Sequence, residues 1–297
     1  MVPQAGRRAG QATARRVERR EARRQSARPL TVAGTIKLSS PATQEFWEIP
    51  ILYEDAHLLA LDKPARLLTS PDADDLLRPS LMQLLHANIA RGAKWATEGN
   101  ITYLANTHRL DSETSGVILL AKDKPALMTL ADQFGIENPG KVYLALVHGS
   151  PRENQIKVAA KLAPNLGEVG FIRVDPKEGK KALTHFEVLE RFRGYTLVKC
   201  SPHTDRTHQI RVHLQNTGLP IVGDTLYGGR PLLLSVLKRD YRLKPNRVEN
   251  PLLGRVALHG TELHFTHPVT SQPVDITAPW PNDLTVAMKY LRKYVAA

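Results

Sequence analysis

His108-Arg109-Leu110-Asp111-Ser112-Glu113-Thr114-Ser115-Gly116-Val117-Ile118-Leu119-Leu120-Ala121 runs from the densest polar cluster of the chain straight into an uninterrupted apolar stretch. The apolar half reads as a buried strand. The polar half is then a loop at the entrance to a rigid sheet, the setting in which reactive groups concentrate. Downstream, Pro125 to Phe134 has Leu127, Leu130 and Phe134 on one helical face, with Pro125 suited to a first turn, and Lys141 to His148 reads as another strand. Thr184 to Arg191 and Thr196 to Cys200 are β-rich and separated by Phe192-Arg193-Gly194-Tyr195, a hairpin signal. Upstream, Ile49 to Tyr53 and His57 to Leu61 flank the turn Glu54-Asp55-Ala56, which predicts a strand pair beginning near Glu45. Ser80 is an N-cap candidate for a helix through Leu81, Leu84, Leu85 and Ile89, with Gly92 closing it.

Toward the C-terminus, Thr207 to Gln215 predicts a short helix entered from a loop, and Leu258 to Phe265 a late strand ended by His267-Pro268. Leu284 to Tyr294 predicts a closing helix, Met288 and Leu291 inward, Lys289, Arg292 and Lys293 outward. Strands come in hairpins as well as with helices, so the expected class is α+β with a mixed, mainly antiparallel sheet flanked by helices and loops. No internal repeat and no Gly-rich phosphate loop interrupts this pattern.

The chain has 297 residues, 42% of them hydrophobic, enough for a large core without covalent staples. Cys200 is its single cysteine, which excludes an internal disulfide or a multi-cysteine metal cage and fits a reducing, cytoplasmic setting. No run of about 18 apolar residues is present to span a bilayer. The formal charge of +12 points to a polyanionic partner. Residues 1 to 30 hold nine arginines against two glutamates, a net +7, and Val17 is almost their only apolar residue between Gly6 and Pro29. The expected organisation is therefore an Arg-rich tail over residues 1 to 40, disordered or a lone helix, ahead of a domain over 41 to 297. A tail of that composition either engages RNA or merely aids solubility.

Two clusters hold the chemistry. In the first, the neighbouring Arg109 and His108 would keep the Asp111 carboxylate ionised and suited to a nucleophile. Spacing alone equally allows a loop aspartate making a local turn with Thr114 or Ser115. The second is Asp205-Arg206-Thr207-His208-Gln209-Ile210-Arg211-Val212-His213. On a helix, His208 and Arg211 would share a face. His208 and His213 are five apart with no Glu between, which is not the spacing of a helical zinc pair, so no metal site is expected.

The stretch from His108 to Gly116 resembles the His-Arg-Leu-Asp-x-x-Thr-Ser-Gly signature of the RluA-type RNA pseudouridine synthases, and Arg206 to His213 resembles their later motif. Lys141-Val142-Tyr143 is similar to the family's Lys-x-Tyr strand, while Asp62-Lys63-Pro64 and Gly223-Asp224-x-Leu226-Tyr227-Gly228 match its weaker flanking motifs; the resemblance spans about residues 48 to 281. It implies the pseudouridine synthase fold and a cofactor-free isomerisation in which a uridine base is detached, rotated and rejoined through its carbon 5. It gives Asp111 the essential role at the ribose, has Tyr143 stack on the uracil, and has Arg211 pair with the carboxylate. Without the motifs, Tyr143 would be a core aromatic and Arg211 a surface helix charge. Because the target nucleotide must leave the stack, Arg109 is the residue to fill its place. His108, Arg206 and His208 are the other expected substrate contacts, and Leu258 corresponds to the hydrophobic residue beneath the flipped base. Ribosomal RNA is the first expected substrate and transfer RNA the second, handled by a monomer without metal or membrane.

Two residues depart from the family pattern: Arg66 and Asp205 stand where glycines are usual. Each is expected to strain a turn that prefers positive φ. Asp205 could also draw Arg206 or Arg211 away from Asp111. That would leave a catalytically silent RNA-binding protein. A carboxylate-dependent nucleoside hydrolase is the other competing class, and it would need a second, proton-donating carboxylate, for which Glu113 is the only nearby acid.

Overall fold

In the computed structural model, which describes residues 34–296 apart from 73, 74, 76, 137–139, 166, 168, 169 and 245, the period-2 segments become strands β1 (Thr35–Ser40), β2 (Glu45–Glu54), β3 (Leu58–Lys63), β4 (Ala105–Asn106), β5 (Ser115–Ala121), β6 (Lys141–His148), β7 (Gln155–Pro164), β8 (Ile172–Val174), β9 (Lys180–Phe192), β10 (Tyr195–Pro202), β11 (Leu258–Thr266) and β12 (Pro273–Thr277). The helices are α1 (Leu81–Ala90), α2 (Lys94–Glu98), α3 (Lys124–Ile136), α4 (Gln209–Asn216), α5 (Leu234–Leu237) and α6 (Asn282–Tyr294). One sheet runs in the order β1-β2-β3-β5-β11-β6-β10-β9-β7-β8, with β12 beside β11 and β4 beside β5. Every pairing in it is antiparallel except β5 with β11, so the mixed, mainly antiparallel α+β expectation holds.

The parallel junction lies directly behind Asp111. There Ser115 and Gly116 pair with His259 and Gly260. Gly116 has φ +124, and a Cβ on it would overlap the Gly260 carbonyl, so this signature position admits only glycine. Helix α1 begins as expected: Ser80 accepts the Gln83 N–H at 3.3 Å, and Gly92 follows its end at φ +70. In α6, Leu284, Met288 and Leu291 are buried beneath the sheet core, and Lys289, Arg292 and Lys293 face outward.

Several expectations need correction. The domain does not start at residue 41: β1 is a full strand whose Ile36 and Leu38 are buried against β2 and α1, and residues 32–297 form one unit. The earlier part of the expected tail lies outside the described residues. Strand β7 escaped the sequence reading because Lys157, Ala159 and Lys161 lack the β-branched or aromatic character of a strand. Helix α4 starts at Gln209, two residues later than expected, because His208 takes a left-handed conformation (φ +53) and acts as its N-cap residue.

Candidate active site

The loop carrying Asp111 is held from below by buried polar groups. Lys63, with no exposed surface, donates from Nζ to the carbonyls of Pro64 (2.8 Å), Leu67 (2.6 Å) and Ser112 (3.4 Å). Thr69 donates to the Leu110 carbonyl at 2.8 Å and accepts the Leu110 N–H at 3.2 Å. The turn itself is closed by the Thr114 N–H donating to the Asp111 carbonyl at 3.1 Å. Among the described residues no backbone N–H binds the Asp111 carboxylate, so the turn-making alternative does not apply. Its side chain is 18% exposed and points into a cleft of about 910 Å³.

His108 does not sit in this site as a cation. It is buried, its Nε2 accepts the Leu119 N–H at 3.2 Å, and its ring meets Phe134 edge-on. Burial first, and then nearby Lys141, push its pKa down to about 3, so it is a neutral anchor for β5 at Leu119 and supplies no charge to Asp111. The expectation is therefore corrected for His108, and the arginine within 4 Å of the Asp111 carboxylate comes from about a hundred residues later.

That cation is Arg211, whose Nη1 lies 3.5 Å from Asp111 Oδ2. Far from being a surface helix charge, Arg211 is 5% exposed. Its Nε and Nη2 donate to the two oxygens of Asp224 at 2.7 and 2.8 Å, a bidentate pair that leaves Nη1 for Asp111. Asp224 is itself 1% exposed. Burial works against the Arg211 charge, but the Asp224 hydrogen bonds and charge outweigh it and raise the pKa. The guanidinium also lies over the Tyr227 ring, 4.8 Å from its centroid. Gly223 places Asp224 by turning at φ +78 against the Arg255 carbonyl, where a Cβ would overlap.

His208 Nε2 is 3.9 Å from Asp111 Oδ2, and its Nδ1 is 2.8 Å from the Tyr227 hydroxyl. The Tyr227 oxygen accepts the Ile172 N–H at 3.0 Å, so its own proton is available to Nδ1, and the imidazole then presents Nε2–H to Asp111. Burial lowers the His208 pKa, with Asp111 opposing. The other histidine of this segment, His213, turns away and bonds Thr184 Oγ1 at 2.9 Å, so the pair does not converge on a metal.

Beside the cleft, Arg109, Asp111, Tyr143, Arg206, His208, Arg211 and Leu258 surround one slot of about 50 Å³, the space of one or two waters. Tyr143 is 9% exposed, and burial raises its hydroxyl pKa, followed by the charges of Asp205 and Asp111. Arg109 and Arg206 are exposed at the rim, with Arg206 Nε donating to the Lys181 carbonyl at 3.3 Å. Of the expected site residues, only His108 stands apart from this slot, although it lines the wider cleft. Asp224, Tyr227 and Lys63 were missed as site residues. They lie in the flanking motifs, but nothing in their local sequence connects them to Asp111.

The two departures resolve differently. Arg66 is strained as expected, at φ +66, and its N–H donates to the Ser112 carbonyl at 2.6 Å while its guanidinium bonds the Gly254 carbonyl. Asp205 is not in the positive-φ region, and it does not take Arg211: its carboxylate binds Lys141 Nζ at 2.7 Å. The nearby carboxylates Asp205 and Asp224 are thus each bonded to a cation, Lys141 and Arg211 respectively.

The RNA pseudouridylate synthase family model matches residues 57–216. Over 244 residues the chain is 38% identical to ribosomal large subunit pseudouridine synthase C of Salmonella typhimurium, covering 82% of this chain and 70% of that protein. Synthase D of Zymomonas mobilis is 32% identical over 86% of this chain and 77% of its own length. Among solved structures, human RNA Pseudouridylate Synthase Domain Containing 1 superimposes with a TM-score of 0.56 at 25% identity, covering 78% of this chain and 84% of that one. The fold of human RNA Pseudouridylate Synthase Domain Containing 4 is also similar, with a TM-score of 0.60 at 22% identity over 82% of this chain and 92% of that one.

Proposed function

We infer from the chain's membership of the RNA pseudouridylate synthase family, and propose as its substrate, that this RNA pseudouridine synthase acts on uridines of ribosomal RNA, with Asp111 as the catalytic carboxylate. The observation that carries the assignment of the site is the meeting of Asp111 and Arg211 at 3.5 Å, with Tyr143 and Leu258 lining the same slot. Two motifs remote in sequence converge on one carboxylate.

The reaction breaks the N1–C1′ bond, turns the base and forms a C5–C1′ bond; a proton leaves C5 and N1 gains one. Asp111 acts at the ribose, free of local backbone bonds and oriented by Arg211, which Asp224 holds rigid. A bidentate pair as buried as Arg211 and Asp224 costs little reorganisation when charge develops on the sugar. Tyr143 and Leu258 sandwich the uracil, and His208, steered by Tyr227, donates toward Asp111. Arg109 fills the gap left by the flipped nucleotide, since its planar guanidinium can stack between bases and bond a phosphate together. Arg206 takes a phosphate at the rim. The test is tritium release from RNA labelled at uridine carbon 5: the enzyme should release tritium from ribosomal RNA of a strain lacking it, and no release from that RNA would overturn the substrate. Liberated free uracil would instead indicate a hydrolase.

A further inference from the structure

Strands β7, β9 and β10 present opposite faces with opposite character. Pairing of Tyr143 with Cys200, Cys200 with Phe186, and Phe186 with Ile156 places these side chains on one face, where α4 packs through His213 and Thr184. The alternate residues therefore project from the other face. They include Lys157, Lys161, Lys181, His185 and Lys199. Lys161 stands directly opposite Lys181, and Lys157 directly opposite His185. Directly opposed side chains have Cβ atoms only about 5 Å apart, and like charges there are destabilising. Among the described residues these four lysines make no ion pair, and the acid on the same rows is Glu187, opposite Lys199.

Opposed, unpaired lysines gain stability from an anion laid between them. The position of the lysines suggests which anion. Arg206, on the rim of the Asp111 slot, donates to the Lys181 carbonyl, so the rim of the slot lies beside the start of β9, where this face begins. We propose that the outer face of β7, β9 and β10 is a second RNA-contacting surface, taking the phosphates of a helix flanking the target uridine along Arg206, Lys181, Lys161 and Lys157. This rests on the RNA substrate proposed above. It assigns the surface to affinity and leaves the chemistry to the cleft.

The test compares the full-length enzyme with a Lys157→Gln/Lys161→Gln/Lys181→Gln variant on two probes: an RNA hairpin with a long stem beside a loop uridine, and a short single-stranded uridine oligonucleotide. Binding is read by fluorescence anisotropy across a salt series. For the stem-containing hairpin we expect the log–log salt slope to fall by about 2 to 3 and affinity to drop by about tenfold or more. The short oligonucleotide should bind both proteins alike, and tritium release at saturating hairpin should be unchanged. An unaltered salt slope would overturn the proposal. So would an equal loss on both probes, which would place the lysines in the cleft's own field. Aggregation with an unaltered slope would reassign the lysines to protecting the exposed edge of β7. Tight binding of polyglutamate with no slope change on RNA would reassign the face to an acidic protein. If the enzyme releases no tritium while the slope difference persists, the isomerase assignment fails and the surface stands.

Discussion

On the Tyr143 side of the β9–β10 sheet the buried cations Arg211 and Lys141 are matched: Arg211 with Asp224 and Asp111, and Lys141 with Asp205. On the outer side four lysines stand without a carboxylate partner among the described residues. The difference follows from solvation. A buried charge must be paired because desolvation is costly, whereas an exposed lysine keeps its water until a phosphate displaces it. One face can thus hold a geometry, and the other can only attract. If that division is correct, substitutions on the cleft side change turnover or stability, and substitutions among free cations change affinity and its salt dependence.

The largest effect is expected at Asp111. Asp111→Asn should lower turnover by about 10⁴-fold or more while leaving RNA affinity within about twofold; tritium release and anisotropy measure the two separately. Appreciable turnover in that variant would end the assignment of the carboxylate. Asp224→Asn comes next. It leaves Arg211 buried without the charge of its bidentate partner, and breaking such a pair costs about 3–5 kcal/mol, to be read from urea denaturation. Turnover should fall with unchanged KM, because Arg211 would no longer be held toward Asp111. A stable, fully active Asp224→Asn protein would break the contrast between the two faces.

A smaller effect concerns acid. His108 is held down at about 3, and His213 and His259 at about 4, in each case first by burial. The unfolded chain protonates these rings near pH 6.5, so below that pH it binds more protons than the native state. Stability is therefore complete above about 6.5 and falls as pH drops toward 4, by up to about 1.4 kcal/mol per pH unit for each ring. Denaturant midpoints between pH 7 and 5 should show the decline, and His213→Gln should make it shallower. The smallest effect on catalysis is expected at the Arg-rich N-terminal segment. Removing residues 1–30, with nine arginines, should flatten the salt dependence of RNA binding and leave turnover at saturation intact. An unchanged slope would reduce the tail to a solubility element.

Much of the fold was legible because periodicity is a local property. Ser115–Ala121 and Lys141–His148 are strands with the boundaries that their apolar runs indicate, and Ser80 caps α1 because its hydroxyl can reach an N–H three residues on. Asp111, Tyr143, Arg211, Arg109, His208 and Leu258 were identified from motifs, and the structure gathers them around one slot. Where local chemistry and tertiary packing disagreed, packing prevailed. His108 adjoins Asp111's loop in sequence, yet it is a neutral anchor because it is buried against β5 and accepts the Leu119 N–H there. Asp205, two residues from Thr207 and six from Arg211, binds Lys141 instead, because β6 brings that ammonium nearer than the start of α4 brings the guanidinium.

The chain's own residue pattern was enough for the fold class and the family, and to single out Asp111 as the candidate carboxylate, since strand periodicity, turn chemistry and a motif are written in consecutive residues. Which cation faces Asp111, which acid holds that cation, and which lysines oppose each other on the outer sheet are distances between segments tens to a hundred residues apart. Those distances exist only after the strands have paired in register, so the tertiary structure alone decides that Arg211 is shared by Asp224 and Asp111.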